Sequence, residues 1–208
     1  MNLPLNPPPT SSAMDEETAR AELYGLIATL FYAAPDEAFL GQLRVAVTQA
    51  PAAGCFLEEP WRQLVSVARS CNQKQIADEH DALFGGLGQP EVYVFASHHL
   101  SGFLNEKPLA ALRTDLAELG LSRDESLPET EDHVSYLCEA MRYLIAGDDV
   151  AVTNLSRQRE FFARHLQPWL YLMCDALQAH PRAQFYAALA GLLRAFAEVE
   201  TQGFDMLE

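Results

Sequence analysis

Apolar residues recur at intervals of three and four along most of the chain, which is the pattern of helices that bury one face. The clearest stripe follows a proline-containing break near the middle of the sequence. It comprises Val134, Leu137, Cys138, Met141, Leu144 and Ile145. Comparable stripes predict further helices that begin near Ser12, Asp36, Pro60, Ile76, Lys107, Val152, Pro168 and Pro181.

These stripes predict an all-α fold, a single-domain bundle of about eight or nine helices. Gly120 ends one of the helices, and we expect the loop near residues 120–130 to act as a hinge. Three consecutive prolines indicate that residues 1–14 form a mobile Pro-rich tail. The helical domain is therefore placed at residues 15–208.

Residues 89–97 interrupt the helical pattern. Their sequence, QPEVYVFAS, has the apolar and β-branched content of a short strand. No second run of this kind is present to pair with it, and an isolated strand is not stable. We interpret the segment as an extended linker or a helical turn.

The proline-containing break, LPETEDH, leads directly into the central helix. Pro128 cannot lie inside a helix and disfavours helical geometry at Leu127, so the chain must break there. We predict that Thr130 caps the central helix and that Glu131 and Asp132 lie in its first turn, where the helix dipole favours negative charge. A helix start of this kind is sufficient to explain every acidic residue at the junction.

The charge of the chain narrows the choice of partners. Its 29 acidic residues against 14 Lys and Arg give a formal net charge of −15. A surface of this sign repels nucleic acid and anionic membranes, so neither is an expected partner. It attracts a basic peptide or protein, although an acidic surface also serves solubility alone.

Other sequence features concern the compartment. The N-terminus has no basic segment followed by an apolar run, so we predict no signal peptide, and no segment has the apolar length of a membrane span. The four cysteines are scattered along the chain, at Cys55, Cys71, Cys138 and Cys174. This spacing is typical of free cysteines that serve as small apolar residues in a protein of a reducing compartment. The expected localisation is cytoplasmic.

Catalytic motifs are missing. No histidine follows a glutamate by three residues, and adjacent residues such as His98 and His99 point to different faces of a helix, so we expect no metal site. The Gly85–Gly88 loop lacks the Lys-Ser/Thr of a phosphate loop. Nothing supplies a nucleophile or oxyanion donor to Asp132 and His133. We expect no enzymatic activity and no cofactor.

A different set of residues indicates peptide binding. Aromatic residues and prolines are concentrated between the fourth and fifth predicted helices, close in sequence to a glycine loop. They are Phe84, Pro90, Tyr93, Phe95 and Phe103. Together with the acidic junction they suit a segment that is basic at one end and apolar beyond. The alternative is that these aromatic residues belong to the core.

Several segments then resemble one known family, the TorD/DmsD-type chaperones that mature twin-arginine-exported molybdoenzymes. The resemblance runs from about Arg20 to Glu200 and rests on motifs that occur in the family's order. They are AELYGLIATLFYAAP, HDALFGGLG, VYVFASHHLSGFLNEKPLAALR, ETEDHVSYLCEAMRYL, FFARHLQPWLYLMCDAL and FYAALAGLLRAFAEVE. Two positions depart from the family: His80 stands where an aromatic residue is usual, and Thr130 stands where the hinge proline is usual.

The resemblance implies a non-enzymatic, cytoplasmic chaperone. Its client would be the apo-form of a molybdopterin-dependent oxidoreductase of the DMSO reductase superfamily, bound through its twin-arginine signal peptide and its body until the cofactor is inserted. Guanine nucleotide binding has been suggested for the family, and domain-swapped dimers occur in it, so either a monomer or such a dimer is expected.

We therefore predict a peptide site with an apolar groove and a polar end. The groove residues are Leu83, Phe84, Pro90, Tyr93 and Phe103, and the polar residues are Glu129, Glu131, Asp132 and His133. Replacing Asp132 and His133 together by alanine is expected to weaken leader binding without unfolding the protein. The alternatives are a nucleotide-dependent enzyme or switch that uses the Gly85–Gly88 loop with Asp132 and His133, and a helical scaffold without a groove.

Overall fold

A computed structural model describes residues 12–46, 57–85, 89–104, 106–122, 128–149 and 151–206. Within these ranges the chain is all-α, as predicted, and contains ten helices. They are α1 (Ser12–Tyr32), α2 (Glu37–Val45), α3 (Glu58–Ser70), α4 (Gln73–Phe84), α5 (Ala96–Ser101), α6 (Lys107–Glu118), α7 (Val134–Ala146), α8 (Leu155–His165), α9 (Gln167–Ala179) and α10 (Phe185–Asp205). None of these described helices is long and apolar enough to cross a membrane.

The tenth helix is α5, which lies in the part of the chain that interrupts the helical pattern. The predicted linker at residues 89–97 is extended only as far as Phe95, and the helix begins at Ala96. A helix of six residues is too short to show a repeating apolar stripe, so the sequence pattern did not reveal it.

Two long helices organise the core. Helix α1 packs along α7, and α10 packs against α9, α3 and α4. The largest completely buried side chains come from these helices and their neighbours, and they are Trp169, Tyr24, Tyr186, Phe31, Phe162 and Phe185. Aromatic edges meet aromatic faces inside this core, as in the contact of Tyr24 with Phe196, whose ring centroids are 4.7 Å apart.

An ion pair closes α1 onto the last turns of α10. Arg20 donates from Nε and Nη2 to the two carboxylate oxygens of Glu200, at 2.7 and 2.8 Å, and the Tyr24 hydroxyl donates to Glu200 at 3.0 Å. The Glu200 side chain is only 3% exposed. A buried carboxylate needs this number of donors, because burial of an unpaired charge costs several kcal/mol.

Local sequence signals set several helix ends as predicted. Asp36 accepts a hydrogen bond from the Phe39 amide at the start of α2. Gly120 follows α6 and has a φ of +72°, a conformation that favours glycine. The prediction that Pro181 starts the last helix is wrong: α10 begins at Phe185, where Glu79 of α4 accepts the amides of Gln184 and Tyr186.

Other predictions fall partly outside the described residues. Cys71, Cys138 and Cys174 are buried free thiols, whereas Cys55 lies outside the described ranges. The predicted tail (residues 1–14) lies outside them except for Ser12 to Met14, which belong to α1, and the predicted hinge loop is described only at its two ends. The tail, the domain boundary and the hinge stay predictions.

Candidate functional site

The acidic junction (residues 128–133) precedes the central helix α7, and its capping residue is His133. The His133 Nδ1 atom accepts a hydrogen bond from the Ser135 amide at 3.1 Å. The prediction that Thr130 is the cap is wrong, and so is the placement of Glu131 and Asp132 in the first helical turn, because α7 begins only at Val134. Thr130 instead donates its hydroxyl to Asp132 Oδ1 at 2.6 Å.

Asp132 connects the junction to α5, a helix to which it does not belong. Its Oδ2 atom accepts hydrogen bonds from the Ser97 amide at 2.9 Å and from the Ser97 hydroxyl at 2.5 Å. Asp132 and Ser97 are both buried, so these bonds are shielded from water. The carboxylate therefore caps the N-terminus of α5 in the manner of a helix cap supplied from a distant segment.

Backbone hydrogen bonds fix the same two segments to each other. The Val134 amide donates to the Val94 carbonyl at 2.9 Å, and the Ala96 amide donates to the Asp132 carbonyl at 3.0 Å. These bonds form an isolated antiparallel bridge between Phe95 and His133. The run at residues 89–97 thus pairs with the junction, not with a second strand, and a single bridge has no repeating sequence pattern.

His133 is neutral at physiological pH. Burial lowers the pKa of His133 to about 4, although the adjacent Asp132 carboxylate acts in the opposite direction. Since Nδ1 accepts the Ser135 amide, the single ring proton is on Nε2. The ring edge also meets Phe95, with centroids 5.0 Å apart. These contacts assign His133 to holding the junction in place.

The acidic side chains of the junction differ in their surroundings. Asp132 is 1% exposed, whereas Glu129 and Glu131 each keep part of their surface exposed. Glu131 accepts two hydrogen bonds from Arg113 of α6, at 3.0 and 2.9 Å. Of the three acidic side chains of the junction, a ligand can therefore reach only those of the two glutamates.

An exposed apolar surface lies at the C-terminal end of α5. It is the α5–α6 corner (Leu100, Phe103 and Leu104), where the chain turns at Gly102 with a φ of +81°. All three side chains are exposed, and that of Phe103 is 70% exposed. Exposed apolar clusters of this kind mark binding surfaces more often than isolated exposed residues do.

A small cleft joins the α5–α6 corner to the acidic junction. Its volume is about 140 Å³, and Leu100, Pro108, Ala111 and Asp132 all line it. Arg164 also lines the cleft, where it donates a hydrogen bond to Asp115 at 2.8 Å. The structure thus places one residue of the α5–α6 corner, Leu100, and one predicted site residue, Asp132, on the same cleft.

Other predicted groove residues lie elsewhere. Leu83 is completely buried in the core, so its predicted position in an open groove does not agree with this structure. Phe84 packs against the core, with its ring 4.9 Å from that of Tyr186. Tyr93 stacks on His98 at 3.7 Å, and Pro90 is partly exposed.

The structure also describes His80, His99 and the first residue of the glycine loop, which the sequence had singled out. His80 packs its ring against Phe84 and Tyr186, at 5.2 and 5.6 Å, and so fills the space of an aromatic residue. His99 stacks on Trp169 and bonds the Tyr93 carbonyl at 2.8 Å. Of the Gly85–Gly88 loop only Gly85 is described, as the residue that ends α4.

Sequence reasoning missed Ser97 and Arg113. Ser97 is 35 residues from Asp132, and Arg113 is 18 residues from Glu131. The residues of each pair lie in different elements of the fold, so no local pattern contains these pairs. Within the described ranges, no group of three or more His, Cys, Asp or Glu side chains is arranged to hold a metal ion.

Comparison with known proteins finds one matching family model and relatives that are named as chaperones. Residues 55–175, more than half of the chain, match the family model described as nitrate reductase delta subunit. The chain is 24% identical over 206 residues to the chaperone protein TorD of Vibrio cholerae, covering 90% of this chain and 93% of the relative. It is also 24% identical over 170 residues to the chaperone protein YcdY of Escherichia coli, covering 81% and 86%.

Proposed function

We propose a client for this chain, which belongs to the nitrate reductase delta subunit family and is a chaperone of the TorD type. The client is the unexported precursor of a molybdopterin-dependent oxidoreductase of the DMSO reductase superfamily. The predictions of a TorD-type family and of a chaperone instead of an enzyme are confirmed by the family match and by the names of the relatives. The identity of the client, binding of its leader and the residues of the binding site are proposals.

In this proposal the chaperone acts in the cytoplasm. It binds the twin-arginine signal peptide and the body of the precursor, assists insertion of the molybdopterin cofactor, and delays export until folding is complete. A monomer and a dimer that exchanges segments at the loop near residues 120–130 are both compatible with this role. The bound leader would be protected from the export machinery while it occupies the site.

One observation carries the proposal, namely that Leu100 of the exposed α5–α6 corner and Asp132 of the acidic junction line the same cleft. A twin-arginine leader is basic at one end and apolar beyond. Its arginines would meet Glu129 and Glu131, and its apolar segment would meet Phe103, Tyr93 and Pro90. The net charge of −15 favours the approach of such a leader from solution.

Asp132 and His133 act as positioning residues in this proposal. Both are nearly inaccessible, and both use their side chains to bond the protein itself. Asp132 fixes the start of α5, and the other end of the same short helix leads into Phe103. We assign Leu83 and Phe84 to the core that supports this region. The nucleotide-dependent alternative gains no support, because the same two polar side chains are occupied internally.

The test is isothermal titration calorimetry with two synthetic peptides. One is a twin-arginine leader, and the other is the same leader with both arginines replaced by lysine. Arginine donates in a planar fork to carboxylates whereas lysine is a point charge, so we expect the lysine version to bind about tenfold more weakly. If the folded protein binds neither leader, the proposed function is wrong.

A further inference from the structure

A second cavity lies on another side of the start of α7. It is the α1–α7 groove, with a volume of about 500 Å³, which is within the range of binding pockets. Its principal lining residues are Ala28, Tyr32, Pro35, Phe39, Ser135 and Tyr136. They come from the last turns of α1, from the loop after it, from the first turn of α2, and from the first turn of α7.

Ser135 gives this groove a polar atom that the protein leaves unused. The residue is 2% exposed, and its Oγ atom has no hydrogen-bond partner among the described residues. Its amide is already bonded to His133. A buried hydroxyl without a partner is unfavourable by about 1–3 kcal/mol. Rotation of the Ser135 side chain towards the groove would let a carbonyl group of a bound molecule remove that deficit.

The charge of the groove is weak compared with that of the acidic junction. Two acidic residues line it, Asp36 and Glu139, and each already has a partner. Asp36 caps α2, and Glu139 is paired with Arg142 at 3.1 Å. None of the described residues that line this cavity is Lys or Arg. The groove therefore suits an uncharged apolar segment and not the basic end of a leader.

We propose that the α1–α7 groove is a second peptide site, which takes a short, uncharged, apolar segment from the unfolded body of the client. Apolar side chains of that segment contact Tyr32, Phe39 and Tyr136, and Ser135 Oγ donates to one of its backbone carbonyls. Recognition through the backbone is largely independent of sequence, as a site for unfolded chain requires. This inference rests on the proposed function, which assigns the leader to the acidic junction.

The leader and the body segment would reach both sites at once. Asp132 lines the cleft at the α5–α6 corner, and Ser135, three residues later, lines the groove. Three residues span at most about 11 Å. The two sites are therefore neighbours across the first turn of α7, and one client chain can occupy both.

The experiment uses the full chain and two fluorescent octapeptides, both acetylated and amidated so that they carry no charge. One is rich in Leu and Phe, and the other has Ser at those positions. We expect binding of the apolar peptide only. Ser135→Ala should weaken it roughly three- to tenfold, the usual loss for one hydrogen bond, and Tyr32→Ser should weaken it by a similar factor. Thermal stability should not fall in Ser135→Ala, because the removed hydroxyl has no partner among the described residues.

Tyr143→Ser is the matched control for Tyr32→Ser. Both tyrosines are exposed, Tyr143 to 36% and Tyr32 to 43%. Tyr143 belongs to α7, as two of the groove residues do, but it does not line the groove. The control should bind the apolar peptide within twofold of the wild-type protein. Equal losses in the two tyrosine variants would overturn the groove as the site.

Competition separates this inference from the proposed function. A saturating twin-arginine leader should leave the apolar peptide bound, and Ser135→Ala should bind the leader normally. Displacement of the octapeptide by the leader would show one shared site and overturn the inference. Binding of the leader without binding of the octapeptide would also overturn it while the proposed function stands. Binding of neither would overturn both.

Discussion

Asp132 caps a helix that begins 36 residues before it in the chain. Its Oδ2 atom accepts both the amide and the hydroxyl of Ser97, at 2.9 and 2.5 Å, in a place where both residues are buried. The same carboxylate accepts the Thr130 hydroxyl through Oδ1. This side chain, together with the backbone bonds at Val94 and Ala96, holds the start of α5 against the start of α7.

Asp132→Ala should destabilise the protein by about 3 kcal/mol, because it leaves the buried donors of Ser97 without an acceptor. Urea unfolding followed by circular dichroism measures the change. Asp36→Ala is the control: it removes a local cap from exposed α2, and should cost only about 1 kcal/mol. Equal effects of the two substitutions would contradict the special role of Asp132.

The contacts of Asp132 and His133 change what we expect of the double variant Asp132→Ala, His133→Ala. Both side chains support the fold, so the double variant should lose stability together with leader binding. A loss of binding in that variant would not identify a direct contact. Variants of exposed residues are needed for that purpose.

His133 should make stability depend on pH. Its pKa is about 4 in the folded protein against 6.5 for an unperturbed histidine, so the folded state favours the neutral ring. The contribution is complete above about pH 6.5 and is lost as the pH falls towards 4, with about 2 kcal/mol lost by pH 5. Unfolding free energies at several pH values, for the wild-type protein and for His133→Asn, would measure it. An equally steep pH dependence in the variant would contradict the assignment.

Arg20→Ala should destabilise the protein by about 3 kcal/mol, because the buried Glu200 carboxylate then loses its charged partner. Arg62→Ala is the matched control, since Arg62 also pairs with two oxygens of glutamates, Glu58 and Glu59, but at an exposed position. The control should change stability by less than about 0.5 kcal/mol. Thermal unfolding of Arg20→Ala, of Glu200→Gln and of the double variant gives the coupling between the two residues. No coupling would refute the role of this pair.

Phe103→Ser should weaken binding of the twin-arginine leader roughly tenfold, as expected for an aromatic contact at a binding surface, and should leave stability unchanged. Leu172→Ser is the control, because Leu172 is 53% exposed but does not line the cleft at the α5–α6 corner. Calorimetric titration of both variants with the leader measures the two affinities. Normal leader affinity in Phe103→Ser would exclude the corner from the site.

The sequence by itself determined the helical class, most helix positions and the charge of this protein. Stripes at three and four residues identified α1 and α7, and Asp36 and Gly120 marked helix ends where the structure has them. The motif order that resembles the TorD-type family was also a property of the sequence. These features depend on neighbours within a few residues along the chain, which a sequence pattern contains.

Only the tertiary structure decided which polar groups of the junction are accessible. Asp132 and His133 stand in the sequence as a charged pair at a helix start, yet one bonds Ser97 and the other caps α7. The buried position of Leu83 and the groove beside Ser135 likewise arise from packing between distant helices. Burial is set by the residues that the fold brings together, and those are separated along the chain by distances that no helical or strand period encodes.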